Sequence, residues 1–258
     1  KITTLLNPEK PVLVRPTVSL DSERRPWVYF GTGRFFASGP ASDATDFAPQ
    51  ALYGITEGGP NGCWNTVLKK WKSSCSAIPI PVANLFDSNS VQIHQKGYVD
   101  GSASTTLFDL VDKQINPLTN AKDGWVLNFS NGERVLQNVA LMAGILLVPT
   151  YNPNTALDPT KVDVCTVQGE SFLYGLYYQT GTAFASAGQA KGIFELTSAE
   201  QSAPPDSTKP VSKSVSLGVG IASEASFIVN NGPPGAPPGP GGGPPVPGGP
   251  APQGGAGS

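Results

Sequence analysis

The sequence predicts an all-β chain: a partial or modified β-propeller of several antiparallel blades, followed by a disordered Pro/Gly-rich tail. Three observations lead there. Short β-branched and aromatic runs recur between Gly, Asn and Pro punctuation, while helical periodicity is weak. The runs return in the same order, as a repeated sheet unit would require. The last 27 residues, 232–258, hold 10 of the 26 Pro and 11 of the 30 Gly, with no charge and no aromatic. Such a segment buries too little apolar surface to offset the entropy of ordering. Its irregular order breaks any Gly-X-Y period, which excludes collagen. The folded part is therefore expected over residues 1–231.

The first unit opens with the extended run Pro11–Leu20 (PVLVRPTVSL), then a polar turn, Asp21–Pro26. Trp27–Phe30 reads as a strand ending at Gly31-Thr32-Gly33. Ala51–Thr56 (ALYGIT) follows, bounded by Gly58-Gly59-Pro60. An insertion then occupies about residues 60–123. The order returns with Gly124–Ser130 (GWVLNFS), closed by Asn131-Gly132, a hairpin-type dipeptide. Glu133–Met142, Ile145–Tyr151 and Ser171–Tyr178 follow, the last closed by Gln179-Thr180-Gly181. A third, shorter copy is expected at Lys213–Gly220 and Ile221–Val229.

By role, PTVSL, NVALM and SVSLG share one strand position; WVYFGT, ILLVPT and SFIVNN share the next. ALYGIT and FLYGLY share a third. Two or three such units do not close a ring, which usually needs at least four blades. The remaining blades are expected on the same precursor or on a partner chain. A β-sandwich is the structural alternative.

The net charge of −2 and pI near 5.4 suggest no nucleic-acid partner. Lys69, Lys70 and Lys72 around Trp71 read as a solvated amphipathic face. The apolar run within Val139–Val148 is too short for a membrane helix. No leader pattern is visible from Lys1, which leaves location open. Cys63 and Cys75, with 11 residues between them, fit a local disulfide. Its closure would contribute about 3 kcal/mol in the loop-entropy account. Reduced thiols are the alternative, and Cys165 is left over.

No catalytic, cofactor-binding or metal residue emerges. His94 is the one histidine, and no nucleophile elbow accompanies it. Gly31-Thr32-Gly33 lacks the third glycine and the helix of a phosphate loop. The pairs Asp43/Asp46 and Asp109/Asp112 stand in polar segments. Three Cys and one His make a structural zinc site a poor fit.

Several runs together resemble the PilY/PilC family of type IV pilus-tip adhesins over residues 10–230. They are Arg15-Pro16-Thr17-Val18, WVYFGTGRFF from Trp27, Leu52-Tyr53-Gly54-Ile55 and Gly124-Trp125. Gly132-Glu133-Arg134-Val135-Leu136, Pro149-Thr150-Tyr151-Asn152-Pro153, Cys165, Gly169–Tyr174 and Thr180-Gly181 complete the set. The resemblance implies the C-terminal part of a propeller and a non-enzymatic role in pilus assembly and adhesion. It implies partners among minor pilins or other pilus-tip components, contact with a host or abiotic surface, and a place at the pilus tip or cell surface, extracellular or outer-membrane associated. It also makes calcium possible, but no calcium loop is found: Asp87-Ser88-Asn89 and Asp100-Gly101-Ser102 offer too few carboxylates. Tyr177 stands where the family tends to have Asp. A quinone-dependent dehydrogenase-like propeller is the enzymatic alternative. Its docking motif usually ends in Trp, whereas Thr182-Ala183-Phe184 follows here. A generic scaffold propeller is the third reading.

Overall fold

Alternation with a period of two builds the first sheet. In the computed structural model, β1 (Thr17–Leu20), β2 (Pro26–Gly31) and β3 (Ala51–Thr56) form an antiparallel meander. The insertion then contributes β4 (Trp64–Asn65), β5 (Lys70–Trp71) and β6 (Phe86–Asp87). The chain returns as β7 (Gly124–Asn128), which pairs antiparallel with β3, while β6 lies parallel on the outer side of β7. Trp27, Tyr29, Leu52, Trp125 and Leu127 point to one face and pack in one cluster. Phe30, Tyr53, Ile55 and Val126 point to the other and pack with Leu6, Ile80 and Leu85. Burial on both faces explains why these strands read as nearly continuous apolar runs.

The described residues are 4–36, 43, 46–59, 62–65, 67–73, 79–102, 104–115 (side chains to 113), 122–153, 169–185, 192–194 and 204–226. All belong to the first of two units, Lys1–Ser226. The expected Pro/Gly tail lies outside the described residues. Helix is scarce: α1 (Leu107–Leu110) is a single turn capped reciprocally by Thr106 and Asp109, followed by a short π-type turn.

The second sheet repeats the plan. β8 (Arg134–Val135) and β9 (Ala140–Met142) both pair with β10 (Ile145–Asn152). β10 pairs with β11 (Glu170–Tyr177), and β11 with β12 (Ser214–Val219). Here too a long excursion separates the third strand from the fourth. The strand registers match: Tyr29 faces Gly54 in the first sheet, and Leu147 faces Gly175 in the second.

Equivalent faces point the same way. The Gly54 face of the first sheet looks toward the second, through the cluster that joins Trp125 and Leu127 to Leu146, Val148 and Tyr174. Tyr53 looks away from that cluster, whereas its counterpart Tyr174 looks into it. The sheets therefore stack head to tail.

The molecule is mostly β, with several antiparallel sheets and none closed on itself among the described residues. Three sequence expectations change. GWVLN is the fourth strand of the first sheet, not the opening of a second copy. Asn131-Gly132 has the positive φ values of a tight turn, 54° and 73°, but carries the chain from one sheet to the other instead of closing a hairpin. The run expected to begin a third copy is β12, the fourth strand of the second sheet. Residues 221–226 form no strand, and Phe227–Val229 lie outside the described residues.

Candidate interaction surface

The motif residues meet at the seam between the sheets. A Cβ on Gly31 would overlap the side chain of Val135, and one on Gly33 would overlap that of Arg134. The glycines let these two segments touch, and the Val135 amide donates to the Thr32 carbonyl at 3.1 Å. Gly31-Thr32-Gly33 is thus a contact point between sheets. Arg134 is fully buried. Its guanidinium donates to the carbonyls of Gly132 (2.7 Å), Arg34 (2.8 Å) and Asp46 (2.6 Å), tying three segments together. Burial lowers its pKa.

Trp125 fills the same seam. Its indole packs against both Gly54 and Gly181, leaving no room for a Cβ at either. Its Nε1 donates to the Tyr178 carbonyl at 2.9 Å. The Leu-Tyr-Gly and Thr-Gly motifs therefore share one cause in the first sheet: an aromatic ring resting on backbone. In the second sheet Gly175 is covered by Phe194, whose ring a Cβ would approach to 2.9 Å.

Two buried carboxyl groups mark the two sheets. Asp21, in the β1–β2 turn, accepts from the Arg25 amide (2.8 Å), Arg25 Nε (2.5 Å) and Trp27 Nε1 (3.1 Å). Glu133, on the connector, accepts from Thr150 Oγ1 at 2.5 Å and has no ion pair among the described residues. Burial raises the Glu133 pKa, against the opposing effect of bonds from Thr150 and Tyr174 and the charge of Lys213. The polar turn expected at Asp21–Pro26 thus holds a buried ion pair, and nothing in residue type or spacing signals the tasks of Arg134 and Glu133.

Other candidates serve local structure. His94 Nδ1 bonds the Thr208 carbonyl at 2.9 Å. Asp43 pairs with Arg34 Nε at 3.2 Å and accepts from the Phe36 amide. Asp46 accepts from the Ala48 amide, and Asp109 completes the cap of α1. Asp87 and Asp100 accept from the amides of Asn89 and Gln92. Asp112 stands exposed in the π-type turn. Lys69 pairs with Glu23 at 2.8 Å and Lys72 donates to the Gly62 carbonyl, while Trp71 packs edge-on against Trp64 across β4 and β5. Cys63 is disulfide-bonded. Cys75 and Cys165 lie outside the described residues, so the Cys63–Cys75 pairing remains an expectation. Among the described residues no group of three His, Cys, Asp or Glu could hold a metal ion, and no helix is long and apolar enough to cross a membrane.

What faces solvent is the sheet rim. On β1, Val18 and Leu20 are 71% and 64% exposed. Beside them lies a cleft of ≈ 380 Å³ lined by Leu20, Leu141, Met142, Tyr177 and Tyr178 among others, where burial pushes the Tyr177 hydroxyl up to about 12. A second, polar cleft of ≈ 450 Å³ is lined by Ser88, Asn89, Gln92, Asp100, Thr182 and Lys213 with their neighbours. At the far rim, β12 exposes Leu217 and Val219, and Ile221 follows it.

A solved structure described as the crystal structure of the Pseudomonas aeruginosa PilY1 C-terminal domain is similar to this chain. The identity is 17% and the TM-score 0.48, over 81% of this chain and 39% of that one. This chain thus spans well under half the length of that structure, and the likeness concerns fold alone. No model of a known protein family matches the chain, and no curated protein matches it.

Proposed function

We propose that this chain is a non-enzymatic, type IV pilus-associated adhesion and assembly module, acting by protein–protein recognition at the pilus tip or cell surface. Its two sheets are consecutive blades of a propeller. One observation carries the reading: the residues that give the family resemblance, among them Gly31, Gly33, Gly54, Trp125, Arg134 and Val135, are packing in the seam. They hold sheet on sheet, and recognition falls to the exposed rims. Head-to-tail stacking of equivalent faces supports blades over a sandwich. Because a fold hosts many functions, the assignment rests on this use of the motif residues.

The partners are minor pilins or other tip components, the remaining blades, and a host or abiotic surface, with no nucleic acid. The module works without a cofactor. Fractionation of producing cells tests the reading. The chain is expected to travel with sheared pili and to be retained by immobilised minor pilins. A chain that stays with neither pili nor the cell surface overturns it.

A further inference from the structure

Besides the sheet rims, a hairpin outside both sheets exposes apolar side chains. β4 and β5 pair only with each other, Trp64 opposite Trp71 and Asn65 opposite Lys70. Between them the Asn65 side-chain oxygen accepts from the amides of Val67 (3.0 Å) and Leu68 (2.8 Å), which fixes the turn. Turns are normally built from Gly, Pro, Asn, Asp or Ser. Here Val67 and Leu68 stand 78% and 59% exposed, with Trp71 55% exposed behind them. The base is held firmly. Cys63 is disulfide-bonded, its carbonyl accepts from the Lys72 amide at 2.9 Å, and the Lys72 ammonium donates to the Gly62 carbonyl. Lys69 ties the turn to the β1–β2 turn through the carbonyl and carboxylate of Glu23.

The charge around this apolar tip is mostly positive. Glu23 is neutralised by Lys69, whose hydrogen bond and charge lower its pKa. Lys70 and Lys72 are exposed and have no ion pair among the described residues, and neither has Arg24, exposed beside Glu23. Glu57 sits at the base, where it accepts from the Cys63 amide. Alternation sets Lys70 on the face of the hairpin opposite Trp71.

We propose that this hairpin docks tip-first into an anionic lipid surface. The proposal rests on the surface-recognition role above and names the chemistry of one such surface. Val67 and Leu68 enter the apolar boundary, and Trp71 lies at headgroup level, where tryptophan concentrates. Lys70, Lys72 and Arg24 meet the lipid phosphates around it. Aliphatic, tryptophan and basic residues together are what holds a small element at a bilayer interface, since either signal alone binds only marginally. A protein partner would have to supply an apolar pocket ringed with carboxylates, whereas an anionic bilayer offers both complements to any small protruding tip.

Co-sedimentation of the full chain with vesicles of phosphatidylglycerol mixed with phosphatidylcholine tests the proposal, beside vesicles of phosphatidylcholine alone. The wild type is expected to bind the anionic vesicles, and to lose most of that binding on neutral vesicles and in high salt, which screens exposed charges. Tryptophan emission is expected to shift to the blue on binding. Trp71→Phe is expected to lose most of that shift, because Trp27 and Trp125 are already buried. The double variant Val67→Ser, Leu68→Ser is expected to bind about tenfold more weakly, for two partly inserted aliphatic side chains. Lys70→Gln is expected to bind about fivefold more weakly, for one basic residue near the surface. All these positions are exposed, so melting is expected to stay unchanged.

A wild type that binds neither kind of vesicle, or both equally, overturns the proposal, as does binding that survives in the double variant. A wild type that ignores vesicles while the double variant loses retention by immobilised minor pilins also overturns it, in favour of a protein partner at the tip. Failure of the pilus reading would appear separately, as chain absent from the pilus fraction that still binds anionic vesicles.

Discussion

The two sheets share a plan and differ in how they are covered. Each is a three-strand meander whose fourth strand arrives after a long excursion, and each sets a glycine at the same place in its third strand. In the first sheet the fourth strand itself brings the cover, because Trp125 pairs with Gly54 and lays its indole on it. In the second, the Gly175 amide donates to the Lys213 carbonyl, and the cover comes from Ile193 and Phe194 in the excursion. The central strands of the first sheet, β2, β3 and β7, are buried on both faces, while β12 is open to water along most of its length. The backbone plan thus sets where the glycine must be, and the excursion decides how firmly that glycine is held.

Removing each cover is the strongest way to break this comparison. Trp125→Ala deletes a fully buried indole and its hydrogen bond, and is expected to cost about 4 kcal/mol, within the range for aromatic deletions in a core. Phe194→Ala removes a half-buried ring and is expected to cost about 1 kcal/mol, in keeping with partial burial. Urea unfolding of the two variants reads the difference. Equal losses would mean that the second sheet is as firmly covered as the first.

Filling the space under each cover comes next. Gly54→Ala places a methyl group inside an indole that is fully buried and also packed against Gly181. The expected cost is about 3 kcal/mol, at the upper end for overpacking. Gly175→Ala meets Phe194 at 2.9 Å and Ile193 at 3.1 Å. Both belong to a half-exposed segment that can shift, so the expected cost is about 1 kcal/mol. Melting temperatures of the pair decide it, and a Gly175→Ala loss matching that of Gly54→Ala would end the distinction.

These residues also show what the sequence could reveal. WVYFGT and ALYGIT are so rich in aromatic and β-branched residues between glycines that the strands and the shared Leu-Tyr-Gly position follow from residue type, while near-continuous apolar runs leave their faces unassigned. The closing strands were harder. GWVLN begins after an insertion and ends at Asn131-Gly132, whose local chemistry signals a hairpin. Its pairing with β3 is set by the fit of Trp125 onto Gly54, a contact across about 70 positions of chain that no local pattern encodes. The same holds for SVSLGV, which resembles a first strand and serves as a fourth. Arg134 and Glu133 enter the sequence reading only as part of the run Gly132–Leu136, because the packing that buries them exists only once both sheets are formed.

The smallest expected effect concerns the two buried carboxyl groups. Asp21 has a guanidinium partner at 2.5 Å, while Glu133 has hydroxyl partners and a lysine beyond ion-pair distance. Burial therefore dominates at Glu133 and raises its pKa in the fold above the unfolded value, about 4.3 for a free glutamate. The folded protein then holds this proton at pH values where the unfolded chain has released it. The contribution to stability is fully present below the unfolded pKa and is lost as pH rises through the folded one. Glu133→Gln keeps an acceptor for Thr150 and cannot ionise. It is expected to remove that decline, leaving the variant slightly more stable than wild type above the folded pKa and equal or slightly weaker in acid. Urea midpoints measured from acid to neutral pH compare the two. Parallel curves would mean that the Glu133 carboxylate is accommodated in the second sheet as fully as Asp21 is in the first, with Lys213 supplying the counter-charge after all.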